Sequence, residues 1–140
     1  LSALGERDAA AVRDVLDALE REVRVTLDLG PTATPVTLLA AGGREIDTGA
    51  ETRRLVEAVC AESNRVALEV VEHDEPGPWP RTTIAPGLLY LGMPLGYELT
   101  TLVHGILEAG RAEPTLSAAS RERLASLERE VAIDVFVTPT

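Results

Sequence analysis

Residues 81–110 read RTTIAPGLLYLGMPLGYELTTLVHGILEAG. Arg81 to Ala85 is a short strand, Pro86-Gly87 a tight turn, and Leu88 to Leu91 a second strand, so the stretch opens with a β-hairpin. Gly92-Met93-Pro94-Leu95-Gly96 then leads into a helix that runs to about Ala109. Leu99, Leu102, Val103, Ile106 and Leu107 give that helix a wide apolar face. Gly110 ends it. Gly92, Pro94 and Gly96 fix the turn from hairpin to helix. Glu98 falls in the first helical turn, where a negative charge meets the positive end of the helix dipole.

Upstream, residues 6 to 22 (ERDAAAVRDVLDALERE) place Val12, Val15, Leu16 and Leu19 on one helical face. Val23 to Leu29 alternates with period two and predicts a half-buried strand. After GPTATP, Val36 to Ala40 is a second strand candidate. Which of 23–29 and 36–40 enters the main sheet is open at this point. GGREIDTG is a loop. A helix is predicted from about Ala50 to Glu62, with Leu55, Val56, Val59 and Cys60 inside and Asn64 as its stop. Val66 to Val71 is a strand. HDEPGPWP, with three prolines and a glycine in eight residues, is loop.

Downstream, Ser117 caps a helix predicted to reach about Arg129 with Leu124 and Leu127 buried. Val131 to Val137 then reads as a buried strand. LEREVRVTL (19–27) and LEREVAIDV (127–135) share their first four residues and the same helix-then-strand character. That repetition suggests two copies of one unit, the second cut short.

Composition narrows the classes. The chain has 140 residues and 45% hydrophobic residues, enough for a core. Aromatics are 3%, which argues against a stacking surface for single-stranded nucleic acid. A net charge of −10 repels phosphate backbones and anionic lipid, so neither nucleic acid nor membrane is an expected partner. No apolar run is long enough to span a bilayer, and LSALGERDAA does not read as a secretory signal, so a cytoplasmic protein is expected. Cys60 is the single cysteine, so this chain alone can neither run dithiol chemistry nor build a cysteine zinc site.

The order of elements, and above all LLYLGMPLGYELTTLVHGIL, resembles the first unit of tandem thioredoxin-fold proteins. These are the glutaredoxin-like protein disulfide oxidoreductases and the N-terminal region of the alkyl hydroperoxide reductase flavoprotein. The pattern there is Gly-x-Pro-x-Gly-(Tyr or His)-Glu-(Phe or Leu), here Gly92, Pro94, Gly96, Tyr97, Glu98 and Leu99. The closing VFVTPT resembles the strand that runs into Cys-Pro-x-Cys of the second unit in the oxidoreductases. The resemblance implies an α/β, thioredoxin-like fold: a central mixed sheet with helices on both faces, over residues 1–112. Residues 113–140 would hold the first helix and strand of a second unit, and the redox cysteines would follow Thr140.

In an active unit of this kind a CxxC sits at a helix N-terminus, where the dipole and free N–H groups lower the thiol pKa. Matching Leu55-Val56 to the family's helix puts Ile46 and Gly49 in the cysteine positions, so the motif is degenerate. The family's cis-proline, which faces the CxxC and pairs with a substrate chain, corresponds to Pro80, expected cis. Trp79, Pro80 and Arg81 would form the substrate or partner groove.

The resemblance therefore implies a non-catalytic scaffold within a thiol–disulfide oxidoreductase or peroxide-reductase system, acting in cell redox homeostasis. No cofactor is expected in this chain; FAD and NADPH or NADH would belong to the parent protein or its reductase. The expected partners are a second thioredoxin-like unit and a flavoprotein reductase module or peroxiredoxin, with a homodimer left open. The alternative is a stand-alone peptide-binding module using the Trp79-Pro80 edge.

Other residues read as structural. Cys60 shares a helical register with Val56 and Val59 and reads as a small core residue. His73-Asp74-Glu75 lacks a second ligand set and reads as a solvated loop rather than a metal site. His104 lies off the apolar face of its helix. Gly42-Gly43 matches no phosphate loop. No histidine–acid pair accompanies the scattered Ser and Thr, so a hydrolase is not expected.

Overall fold

The computed structural model describes residues 3–31, 36–37 and 45–137. Helix α1, Glu6–Leu16, buries Val12 and Leu16. It ends six residues before the expected 22. The carbonyl of Gly110 takes the amides of Glu20 and Arg21 at 3.2 and 2.9 Å, which draws the chain out of the helix and drops Leu19 into the core.

Strand β1, Val23–Leu29, enters the main sheet. Val36–Thr37 (β2) instead pairs antiparallel with Glu45–Ile46 (β3) in a separate two-stranded ladder; residues 38–40 of the second candidate lie outside the described residues. Helix α2, Thr48–Cys60, starts two residues earlier than expected. The Asp47 side chain caps it, accepting from the Ala50 amide at 2.9 Å. Leu55, Val56, Val59 and Cys60 are buried as the apolar periodicity predicts.

β4 (Val66–Glu72) runs parallel to β1, and β5 (Arg81–Ala85) antiparallel to it. β6 (Leu88–Leu91) completes the hairpin with β5, giving the order β4-β1-β5-β6. Gly87 makes the turn with φ +80°, a conformation that glycine adopts without a Cβ penalty. Helix α3, Tyr97–Ala109, buries Leu102, Val103, Ile106 and Leu107, and His104 is exposed.

Val23, Val25, Leu27 and Leu29 form one buried row of β1, and with α1, α2 and α3 they make a single core. The opposite row begins with exposed Arg24 and half-buried Thr26. The sheet is mixed and four-stranded, and α1, α2 and α3 all contribute buried side chains to its core.

Two C-terminal expectations are corrected. The helix after Ser117 is α4, Ala118–Ala125, with no buried residue; Leu124 and Leu127 are exposed. Two leucines make too narrow a stripe to seat a helix that nothing covers. Val131–Val137 forms no ladder, and its apolar side chains are exposed. Alternation says which side chains would share a face, but a strand also needs a neighbouring edge to bond. Of the expected second unit over 113–140, the described part is thus a short helix and an unpaired stretch. No described helix is long and apolar enough to cross a membrane.

Candidate functional site

The sheet brings Asp28 together with His73, Trp79 and Arg81, which lie 45 to 53 residues further along the chain. Asp28, near the end of β1, sits opposite Arg81 in the antiparallel ladder. His73 follows β4, and its amide donates to the Leu29 carbonyl at 2.8 Å, which carries the chain on beside β1. Its imidazole Nε2 lies 2.8 Å from Asp28 Oδ1. Arg81 donates from Nε at 3.1 Å and from Nη2 at 3.0 Å to Asp28 Oδ2. An ionised carboxylate only accepts, so Nε2 of His73 carries the proton in this pair.

Asp28 is buried. Burial alone would push its carboxyl upward. The hydrogen bonds from His73 and Arg81, with the charge of both, outweigh that and hold it below the ordinary 3.8.

Trp79 closes the cluster. Its ring stacks on His73 with centroids 4.1 Å apart and an interplanar angle of 5°. The Arg81 guanidinium lies 5.0 Å from the indole centroid, within cation–π range. The indole N–H donates to the Glu75 carbonyl at 3.0 Å. Two glycines make room for the ring: a Cβ on Gly30 would stand 2.7 Å from it and one on Gly77 2.5 Å. The Trp79–Pro80 peptide is cis, and Pro80 is buried. His73 is thus half-buried and fully engaged on its Nε2 side, not the solvated loop residue expected.

Beside this cluster an open cleft of about 430 Å³ is lined by Leu29, Gly30, Asp47, Gly49, Arg53 and His73, among others. Of the two residues matched to the cysteine positions, Gly49 lines it, in the first turn of α2; Ile46 ends β3, half-buried, and does not. Asp47 occupies the cap between them. Arg53 is held by Glu57 at 2.8 Å and Glu72 at 3.0 Å. Cys60 lies at the far end of α2, buried, and burial pushes its thiol up to about 12.

The turn motif does structural work. Gly92 and Gly96 take φ +90° and +55°, Pro94 is buried, Tyr97 is exposed, and Glu98 stands in the first turn of α3. The Gly92 amide donates to the Pro80 carbonyl at 2.8 Å, which ties this motif to the site.

Chemically, the cluster is a buried carboxylate held by two basic side chains and covered by a ring. It presents no thiol. Among the described residues no group of three or more His, Cys, Asp or Glu is arranged to hold a metal ion. Sequence reasoning named Trp79, Pro80 and Arg81 but missed Asp28. No signal in the sequence marked it, since Asp28 falls on the polar row of a strand that alternates throughout and so reads as exposed.

No family model matches the chain, and no curated protein matches it in sequence. Solved structures do. A protein disulfide oxidoreductase from Aeropyrum pernix superposes with a TM-score of 0.72 at 22% identity, over 91% of this chain and 56% of that one. The alkylhydroperoxide reductase AhpF of Enterococcus faecalis, as its C503A mutant, gives 0.69 at 15% identity, over 89% and 61%. The NTD_N/C domain of the same enzyme gives 0.68 at 16% identity, over 90% and 62%.

The fold is thioredoxin-like. The chain spans about three-fifths of the length of these solved chains. Within this thioredoxin-like frame Asp47 caps the N-terminus of α2 and lines the cleft together with His73, whose imidazole meets Asp28.

Proposed function

We propose that this chain is a non-catalytic thioredoxin-like scaffold within a thiol–disulfide oxidoreductase or peroxide-reductase system. The observation that carries the reading is the occupant of the α2 N-terminus. The amide that would stabilise a thiolate there already bonds the Asp47 carboxylate, and a second negative charge beside it would be repelled. The single cysteine sits at the other end of the helix with its thiol raised to about 12, so little thiolate forms near neutral pH.

In this reading residues 1–112 are the scaffold and residues 113–140 begin a second thioredoxin-like unit. The redox cysteine pair follows Thr140. There one thiolate attacks a substrate disulfide, a mixed disulfide forms, and the second thiolate resolves it. Electrons come from a flavoprotein reductase module or a separate reductase that carries FAD and uses NADPH or NADH; a peroxiredoxin is the matching acceptor. The resemblance to AhpF and to a disulfide oxidoreductase, together with the three-fifths coverage, supports this arrangement. The peptide-binding alternative is less well supported, because Arg81 and Trp79 are committed to Asp28, His73 and Glu75.

The test has two parts. The 140-residue chain is expected to be inert in a disulfide-reduction assay; turnover above background that survives Cys60→Ser would overturn the scaffold reading. The coding sequence past codon 140 is expected to give Cys-Pro-x-Cys or a close variant. A stop codon there would sink the tandem arrangement.

A further inference from the structure

Residues 110–115, Gly-Arg-Ala-Glu-Pro-Thr, follow α3 and form neither helix nor strand. Connections of that kind are ordinarily the mobile part of a surface. This one is held by charged side chains that neither the core nor the candidate site uses.

The segment starts in a buried place. The Gly110 carbonyl accepts from the Glu20 and Arg21 amides, and a Cβ on Gly110 would overlap Leu19. Leu19 is buried, and its own carbonyl accepts from the Arg65 guanidinium, just before β4. The Arg65 carbonyl in turn takes the Val23 amide at 2.8 Å. The ends of α1 and α3 and the starts of β1 and β4 therefore meet at this point. Asp28 stands toward the other end of β1, so this junction and the candidate site occupy opposite ends of one strand.

Ala112 is then gripped at both its polar groups. It donates its N–H to Glu20 Oε2 at 2.6 Å, and its carbonyl accepts from Arg21 Nη2 at 3.1 Å. The two groups of one residue thus meet an anion and a cation that are neighbours in sequence, and each bond is charge-assisted. Glu108, in the last turn of α3, takes the other flank. Its Oε1 accepts from Arg111 Nε at 2.7 Å and its Oε2 from Thr115 Oγ1 at 3.1 Å. Glu113 continues the series to Arg121 of α4 at 3.0 Å. These side chains are largely exposed, so they add little to stability. Their effect is directional.

We propose that residues 110–115 are a fastened joint: Glu20 and Arg21 clasp Ala112, Glu108 holds Arg111 and Thr115, and together they set the direction in which the chain leaves the domain. The tetrapeptide at 19–22 thus has a use beyond leading into β1. The inference deepens the scaffold reading and rests on it for its purpose, since a scaffold that positions a following unit must transmit its own orientation through this segment. The two remain separable. A stop codon after Thr140 would end the tandem arrangement and leave the joint standing, and a freely exchanging Ala112 would do the reverse.

Amide exchange of Ala112 in the 140-residue chain is followed by nuclear magnetic resonance. It is expected to be about tenfold slower than in an unstructured peptide, or slower still. Glu20→Ala with Arg21→Ala should remove most of that protection, and Glu20→Gln, which keeps an acceptor, should retain part of it. Trypsin should cut after Arg111 about tenfold faster in the double variant, with cutting after Arg123 unchanged. Both replaced side chains are exposed and their amides still reach Gly110, so circular dichroism and the denaturation midpoint should match the parent. If the double variant loses its fold, Glu20→Ala alone carries the test, because it removes only the acceptor of the Ala112 amide. Exchange of Ala112 at the free-peptide rate in the parent overturns the proposal. So does a folded variant whose exchange and cleavage equal the parent's.

Discussion

Leu19–Leu27 reads LEREVRVTL and Leu127–Val135 reads LEREVAIDV. The first takes Leu19 to 3% exposure and sets Val25 at 0% within the sheet, while at the matching places Leu127 is 52% exposed and Ile133 82%. One residue past the repeat the contrast persists against the chemistry of the side chains: Asp28 is buried, and its counterpart Phe136 is exposed. The same tetrapeptide and the same alternation end in opposite environments. β1 has β4 bonded along one side and β5 along the other, and the Gly110 carbonyl holds the turn before it. The second stretch has none of these. A strand pattern states what a segment could bury, and the neighbouring edge determines whether it does.

The contrast should be largest in the core. Leu27→Ala is expected to cost about 2–5 kcal/mol, whereas Val135→Ala in the isolated monomer should stay within about 0.5 kcal/mol. Denaturant titration of both variants checks this, at a concentration below that of any association. Similar losses would mean that the C-terminal stretch packs as tightly as β1.

Asp28 gives a sharper test, because its buried charge has no equivalent in the second stretch. Its folded pKa is lowered, so the stability it adds is present above the ordinary carboxyl value of 3.8. That stability is lost as pH falls from there through the lower folded value. Asp28→Asn should remove this part of the acid loss, and should cost about 1–3 kcal/mol near neutral pH by unpairing Arg81 and His73. Thermal unfolding of both proteins between neutral and acid pH reads the difference. Parallel curves would mean that the carboxylate is not held by its partners.

The smallest effect compares the two side-chain caps. Asp47→Ala should lower global stability by about 0.5–2 kcal/mol, since α2 is part of the core. Ser117→Ala removes an equivalent bond to the Ser120 amide at 3.2 Å, but α4 buries nothing. It should reduce helical signal without moving the denaturation midpoint. A shifted midpoint would show that α4 is coupled to the core.

Much of the fold was legible before the structure. The hairpin 81–91, the helix ending at Ala109, β1, and the inner face of α2 all follow from side-chain periodicity and turn residues, because local patterns bury one face at a time. The turn motif Gly92-Met93-Pro94-Leu95-Gly96 pointed to the right architecture from residues close together in the chain. The site was less legible. Arg81, Pro80 and Trp79 stood out, while Asp28 and His73 did not. Each looks ordinary alone, and 45 residues separate them. Only the parallel pairing of β1 with β4 carries the chain on so that the imidazole meets the carboxylate.

The sequence by itself thus determined the elements that depend on neighbours a few residues away: helix faces, turns, caps, and the absence of any cysteine beyond Cys60. The tertiary structure decided what depends on distant partners. It took Val23–Leu29 into the sheet and left Val131–Val137 outside it. It ended α1 early at the Gly110 carbonyl, and it joined His73 and Arg81, both half-buried, to the buried Asp28 carboxylate. The physical reason is the same in each case. A backbone or charged group is settled by what satisfies its hydrogen bonds, and for these residues the satisfying group lies far along the chain.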